Sequence, residues 1–309
     1  MRVLFMGTPD FAVPCLRALV DAGYEVVGVV SQPDRPHGRG RKLVPTPVAA
    51  AAMELGLPLF QPEKVSDPIF VERARDLAPD VLVVVAFGQI LKKPLLSLPR
   101  LGCVNVHASL LPKYRGGSPV QHTLLNGETV TGVTTMLLDE GMDTGPMLLQ
   151  QKVPIDPDDD SGDLLERLSH VSADLLLYTL PALAEGRLEP APQDPAKATY
   201  APNLKREDAR IHWEASAERI RNQIRAFSPK PGAWTTMNEH ELKVWRAALL
   251  ASQEAVSAGQ VLEVSGEGIR VATGEGQLLL QEVQEAGKGR MDAAAFARGL
   301  RLQPGDRFQ

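Results

Sequence analysis

Apolar residues in the first half of the chain fall into short, nearly unbroken runs. Between the runs they recur at helical spacing. Arg2–Met6, Glu25–Ser31 and Asp80–Phe87 are rich in Val and Leu, and each run ends in a polar or Gly/Pro turn. Runs of this length without alternation are what strands need when both faces of their sheet are covered. Pro14–Asp21, Pro47–Leu55 and Ile69–Leu77 read as helices between them. Strands alternating with helices predict the α/β class, as a Rossmann-like, doubly wound parallel sheet with ligands beyond the carboxyl ends of its strands. Further strands are expected at Gly102–Val106, Gly132–Leu138 and Met147–Val153. A helix capped by Ser161 should follow, from Gly162 to about Glu185.

The texture then changes. Four prolines interrupt Gly186–Asn203, which reads as an extended linker. Beyond it Ala215–Phe227 has a helical pattern. The short alternating segments Glu241–Trp245, Gly259–Val264, Gly268–Ala272 and Gln277–Glu282 are separated by glycine turns. That pattern predicts a small OB-like β-barrel. The expected organisation is a larger domain over residues 1–185, a linker over 186–206 and a smaller domain over 207–309.

Composition agrees and removes several alternatives. A chain of 309 residues suits two domains, and 44% hydrophobic with 23% charged residues suffices for a packed core. The formal net charge of -5 excludes a uniformly basic nucleic-acid coat but not a local basic patch. Residues 1–203 hold 18 Lys and Arg against 24 Asp and Glu, whereas residues 204–309 hold 15 against 14, so the smaller domain is the better place for a basic face. Cys15 and Cys103 are the two cysteines, which argues against a disulfide framework or a cysteine zinc site and fits a reducing cytosol. The first seven residues reach a turn without a signal-peptide core. The longest apolar run, Val81–Phe87, is too short to span a bilayer, so a soluble cytosolic protein is expected.

The first strand-to-helix turn, Gly7-Thr-Pro-Asp-Phe, lacks the G-x-G-x-x-G of a dinucleotide site, and no G-x-x-x-x-G-K-[ST] occurs. Nicotinamide and nucleoside triphosphate chemistry are therefore disfavoured. The informative stretch is Asn105-Val-His107-Ala-Ser109-Leu-Leu-Pro112-Lys-Tyr-Arg115-Gly-Gly-Ser-Pro119. Asn105 and His107 are two apart at the carboxyl end of an expected strand, so both face the same way. An acidic turn, Asp139-Glu-Gly-Met-Asp143-Thr-Gly145, follows the strand Gly132–Leu138 and should end at the same edge. An amide beside an imidazole and a carboxylate suits acyl-type transfer without an enzyme nucleophile. The amide donates to a developing oxyanion, worth roughly 3–4 kcal/mol in comparable sites. Imidazole exchanges protons near neutrality, and a carboxylate orients it. The competing reading is a hydrogen-bonded strand-end histidine beside a turn-forming asparagine.

Asn105-x-His107-x-Ser109-Leu-Leu-Pro112, Arg115-Gly116, Thr131-Gly-Val-Thr134 and Asp143-Thr-Gly145 together resemble the folate-dependent formyltransferases. Gly7-Thr-Pro-Asp-Phe, Gln32-Pro-Asp-Arg-Pro, Gly38-Arg-Gly-Arg-Lys, Gln61-Pro-Glu-Lys, Ile224-Arg-Ala-Phe-Ser-Pro229 and Lys243-Val-Trp-Arg are similar to the branch acting on charged tRNA. The resemblance covers essentially the whole chain. It implies 10-formyltetrahydrofolate as donor cosubstrate, the α-amino group of initiator methionyl-tRNA as acceptor, and no metal. Residues 1–185 would then be catalytic and 207–309 tRNA-binding. By the same resemblance Asn105 would hold and polarise the formyl oxygen. His107 would assist proton transfer, and Asp143 would position His107 and contact the leaving folate nitrogen. The pterin would lie against backbone at Phe87, Gly88, Gln89 and Ile90, with Ser109, Leu110, Leu111, Pro112 and Asp139 to Asp143 closing around the folate.

Between Ser31 and Val44 lie Arg35, Arg39, Arg41 and Lys42 with two glycines, two prolines and a single carboxylate. A mobile, solvated loop is the plain reading, but this one follows a strand at the ligand edge, and flexible Arg/Gly segments order on nucleic-acid backbone. The resemblance implies that it reads the initiator acceptor stem, with Arg39 foremost. Formyl transfer to a small amine and tRNA binding without catalysis are the alternatives, and a monomer is expected because one tRNA must reach both domains. Asp156-Pro-Asp-Asp-Asp160 is not an EF-hand, because Ser161 and Arg167 replace the required Gly and Glu. Its carboxylates suit the helix start that follows. Trp213, Trp234 and Trp245 are expected in the core of the smaller domain.

Overall fold

The structure is a computed structural model and describes residues 1–37, 42–237, 240–250 and 257–309. Its contacts divide the chain into two units. The first comprises Met1–Pro119, Val130–Pro154 and Leu165–Ala201, and the second Val120–Thr129, Ile155–Leu164 and Pro202–Gln309.

In chain order the first part of the molecule runs β1 (Arg2–Gly7), α1 (Val13–Asp21), β2 (Glu25–Val30), β3 (Arg35–His37), β4 (Lys42–Val44), α2 (Pro47–Glu54), β5 (Leu59–Phe60) and α3 (Pro68–Asp76). It continues with β6 (Val81–Val85), α4 (Lys93–Leu96), β7 (Cys103–His107), α5 (Pro119–Leu125), β8 (Val130–Leu137), β9 (Met147–Pro154) and α6 (Ser161–Ala184). Seven strands form one sheet in the order β5-β2-β1-β6-β7-β8-β9. In β1 and β6 successive side chains point to opposite faces and both sets are buried, so both faces are covered, as the unbroken apolar runs require. On one face Leu4, Met6, Leu82 and Val84 join Phe70, Val71 and Ala74 of α3 in a single apolar cluster. The helices start where local chemistry allows. Thr46 accepts a hydrogen bond from the Ala49 amide and Asp67 from the Ile69 amide, each followed by a proline at the first helical position.

The sheet is parallel from β5 to β7, but β8 and β9 run antiparallel. Residues 138–146 between them are fewer than the dozen a parallel crossover needs. This corrects the expectation that the acidic turn leaves the sheet at the edge carrying His107. Leu137 pairs with Val104 and Thr134 with His107, so β8 ends beside the amino end of β7. Because β2 and β6 flank β1, the strand order reverses there. Such a switch point opens a crevice at the carboxyl edge.

The second part contains α7 (Ala217–Phe227), β10 (Ala233–Met237), β11 (His240–Leu250), β12 (Val261–Ser265), β13 (Gly268–Ala272), β14 (Gln277–Glu285), β15 (Met291–Asp292) and α8 (Ala293–Leu300). Its antiparallel sheet runs β10-β11-β14-β13-β12, with β15 on β14. The ring expected of a barrel is completed by the last residues. Asp306 and Phe308 bond Val261 and Gly259 beside β12, and Gln309 exchanges two bonds with Thr236 of β10. Trp213 is buried, stacks on Phe308 at 5.6 Å and donates to Thr235. Trp245 is buried as well, and Trp234 is partly buried.

The cap of α6 differs from the expectation. Asp160 accepts from the Gly162 and Asp163 amides at 2.7 and 3.1 Å, while Ser161 Oγ donates instead to the Ser228 carbonyl. A carboxylate also suits the positive end of the helix dipole, so the acidic run serves a helix start. Among the described residues no helix is long and apolar enough to cross a membrane.

Candidate active site

Asn105 and His107 lie at the carboxyl end of β7, both buried. His107 Nε2 is 2.9 Å from the Tyr114 carbonyl oxygen, which only accepts, so Nε2 carries the hydrogen and Nδ1 keeps its lone pair in the neutral ring. Nδ1 faces Asp143 Oδ2 at 3.7 Å, too long for a hydrogen bond. Despite the reversed strand, the 138–146 segment returns Asp143 to His107. The distance along β7 is only three residues, about 10 Å. Asp143 Oδ2 also accepts from the Gly116 amide at 2.8 Å. Gly116 holds φ +118°, and a Cβ there would lie 2.7 Å from the Ala201 carbonyl oxygen, so only glycine brings its amide to Asp143.

Asn105 is 8% exposed, and among the described residues its side-chain amide has no hydrogen-bond partner. Its polar atoms keep contact with solvent, so the amide is accessible to a ligand. An open amide beside a polarisable imidazole is what a carbonyl substrate would satisfy.

The strand ends around the switch point are tied together. Thr8 Oγ1 donates to the Phe87 carbonyl at 2.8 Å, joining the ends of β1 and β6, and Gln32 reaches the same carbonyl at 3.3 Å. Phe87 is buried, Gly88 takes φ +86° and Ile90 is 79% exposed. Gln89 accepts from the Val65 amide and donates toward Gln32, Pro62 and Glu63. Thr8 and Gln32 were not singled out by residue chemistry, since a lone threonine or glutamine in a turn carries no spacing signal.

Ser109 is fully buried and its hydroxyl donates to the Lys113 carbonyl. Leu111 is buried, and Leu110 and Pro112 are partly exposed. Thr134 Oγ1 donates to the Ser109 carbonyl and accepts from the Leu111 amide, which holds this wall against β8. Asp139 is exposed and accepts from the Gly141 amide and Thr144 Oγ1, so one carboxylate oxygen shapes its own loop.

The basic run forms a hairpin, with Arg35 paired to Val44 and His37 to Lys42. Arg35 is exposed and lies 3.6 Å from Glu63. The backbone of Lys42 belongs to β4, whereas Arg39 and Arg41 lie outside the described residues.

Comparison with known proteins identifies the family. Residues 1–180 match the formyl transferase family model and residues 203–301 match the model for the formyl transferase C-terminal domain. The chain is 49% identical over 308 residues to a methionyl-tRNA formyltransferase of Geobacter sulfurreducens, covering 100% of this chain and 96% of that protein. It is 48% identical over 306 residues to a methionyl-tRNA formyltransferase of Bacillus subtilis, covering 99% and 96%. Among solved structures, an N-formyltransferase from Helicobacter canadensis in complex with folinic acid and dTDP-3-aminofucose superposes with a TM-score of 0.67 at 21% identity, covering 92% of this chain and 98% of that one. With both family models matched along its length and half its residues shared with full-length relatives, the chain belongs to the formyl transferase family.

Proposed function

We propose that this protein transfers the formyl group of 10-formyltetrahydrofolate to the α-amino group of initiator methionyl-tRNA. The product is the formylmethionyl-tRNA that starts translation. The observation that carries the reading is the open Asn105 amide beside a His107 ring whose free nitrogen faces Asp143. Full-length relatives named for this reaction support the acceptor, and a structural neighbour with bound folinic acid supports a folate donor.

The chemistry then needs no enzyme nucleophile. Asn105 donates to the formyl oxygen as the amine attacks the formyl carbon and negative charge builds on that oxygen. His107 Nδ1 accepts the proton the amine loses, and Asp143 supports the imidazolium so formed. The tetrahedral intermediate collapses with rupture of the bond to the folate nitrogen, which takes the proton from His107. An aminoacyl ester's amine is less basic than a free α-amine near ~7.7–8.0, so part of it is neutral at pH 7 and positioning outweighs base strength. The pterin would rest against Phe87, Gly88, Gln89 and Ile90, with Ser109, Leu110, Leu111, Pro112 and Asp139 around the folate.

Arg35, Arg39, Arg41 and Lys42 would hold the acceptor stem. The second unit offers the exposed cations Arg206 and Arg210 near the partly buried Trp234, which suit a nucleic-acid partner. In this reading residues 1–185 carry catalysis, 186–206 connect, and 207–309 hold tRNA. The enzyme acts as a cytoplasmic monomer. Incubation with 10-formyltetrahydrofolate and methionyl initiator or elongator tRNA, followed by detection of N-formylmethionine, tests it. Transfer to the initiator alone is expected. Transfer to neither, with folate bound, would overturn the tRNA acceptor and point to a small amine.

A further inference from the structure

Both groups that flank the His107 ring sit on left-handed backbone, Tyr114 at φ +62° and Asp143 at φ +53°. Such residues cost of order 1–3 kcal/mol and persist only where their surroundings over-determine them. The surroundings here are residues 191–201, which the sequence marks only as a proline-broken spacer. Resting on the formyl-transfer reading above, we propose that Gln193, held by Arg115, and Thr199 are positioning residues that set His107 between the Tyr114 carbonyl and the Asp143 carboxylate.

The contacts address each flank separately. Gln193 Nε2 donates to the carbonyls of Asp143 and Gly145 at 2.7 and 2.8 Å. Its Oε1 accepts from Arg115 Nε and one terminal nitrogen at 3.0 and 2.8 Å. Arginine only donates and carbonyls only accept, so the amide has one possible orientation and all its hydrogen-bonding capacity is used. Gln193 is 9% exposed and Arg115 5%, so neither contact competes with bulk water. On the other flank Thr199 Oγ1 accepts from the Tyr114 amide at 2.8 Å, and the Thr199 carbonyl accepts from the Arg115 amide at 2.8 Å. Ala191 and Met147 exchange two 2.8 Å backbone bonds, and Ala201 and Arg115 share another at 2.7 Å. The segment is thereby pinned at both ends.

Gln193→Glu is the sharpest test. It keeps the shape and the contact to Arg115 but turns a carboxylate toward two carbonyls. Misplacement of about 1 Å at a reacting centre costs up to about 10²-fold, so kcat should fall ~10–100-fold while KM for methionyl-tRNA stays within ~3-fold. In an Asp143→Asn background the same change should cost less than ~2-fold, because a residue acting through Asp143 has nothing left to position. Equal losses in both backgrounds, or a raised KM with unchanged kcat, would overturn the proposal. Thr199→Val should lower kcat similarly and Thr199→Ser should restore it. The imidazole nitrogen signals of His107 give a readout free of substrate, expected to shift in Gln193→Glu and Thr199→Val. Unchanged signals would overturn the proposal even if the wild-type protein formylated no tRNA. Failed transfer by wild type together with shifted signals would instead remove only the functional reading.

Discussion

The loop that carries Asp143 and the hairpin that carries the basic run differ in how their polar groups are used. In the loop, Asp139 caps its own turn, Asp143 takes the Gly116 amide, and Gln193 grips two backbone carbonyls. In the hairpin the fixed contacts lie at the base, where Gln61 donates to Asp34 and to the Gln32 carbonyl at 2.6 and 3.0 Å. Above that base, among the described residues, Arg35 meets an exposed Glu63, an ion pair worth about 0–1 kcal/mol. A group that handles a proton needs one position, so its neighbours are committed. Cations that meet a phosphate backbone work by charge and reach, and commitment to neighbours would weaken them.

Breaking the committed region should cost most. Asn105→Ala is expected to lower the transfer rate about 10²–10³-fold while methionyl-tRNA binding stays within ~3-fold, measured by single-turnover formylation and filter binding. Equal losses in rate and binding would place Asn105 in the scaffold instead. Gly116→Ala comes next. Its Cβ meets the Ala201 carbonyl oxygen at 2.7 Å and its φ is left-handed, so we expect destabilisation of about 1–3 kcal/mol and a rate loss of ~10–100-fold. A denaturant titration beside the rate assay separates the two effects.

The basic run should respond differently. Removing Lys42 or Arg41 is expected to weaken methionyl-tRNA binding ~3–10-fold and to flatten the salt dependence by about one unit of slope, with the melting temperature unchanged. A salt slope equal to wild type would sink the phosphate-contact reading. The smallest effect concerns the buried thiols. Burial pushes Cys15 and Cys103 up to about 12, so neither should react with a thiol reagent at pH 8 until the protein unfolds. Because folding raises both values, the associated stability is complete below the ordinary value near 9 and is lost as pH climbs toward 12. Rapid labelling of the native protein at pH 8 would contradict that burial.

The sequence shows why some of this was legible. β1 and β6 are unbroken apolar runs and could only be strands covered on both faces, and Asn105 with His107 announced themselves by the two-residue period of a strand end. The direction of β8 was not readable, because an antiparallel strand has the same apolar pattern as a parallel one and the 108–129 connection leading into it is long enough for either. The short 138–146 connection fixes only that β9 turns back on β8. The β3–β4 hairpin, Arg-Pro-His and Lys-Leu-Val, lacks any alternation that would mark it. Gln193 and Thr199 were invisible for a different reason. Each is a single polar residue in a proline-broken stretch, and its partners lie 48 to 85 residues away.

The completion of the small antiparallel ring by residues 305–309 has a consequence for self-association. Unpaired strands at the margin of a sheet are templates on which another chain can add. Val261, Gly259 and Thr236 instead spend their backbone groups on Asp306, Phe308 and Gln309 of the same chain. Trimming those last residues would leave β10 and β12 with free amides and carbonyls, inviting β-pairing between molecules. A truncated protein should then be lost first to concentration-dependent aggregation, well before its formyl-transfer chemistry suffers.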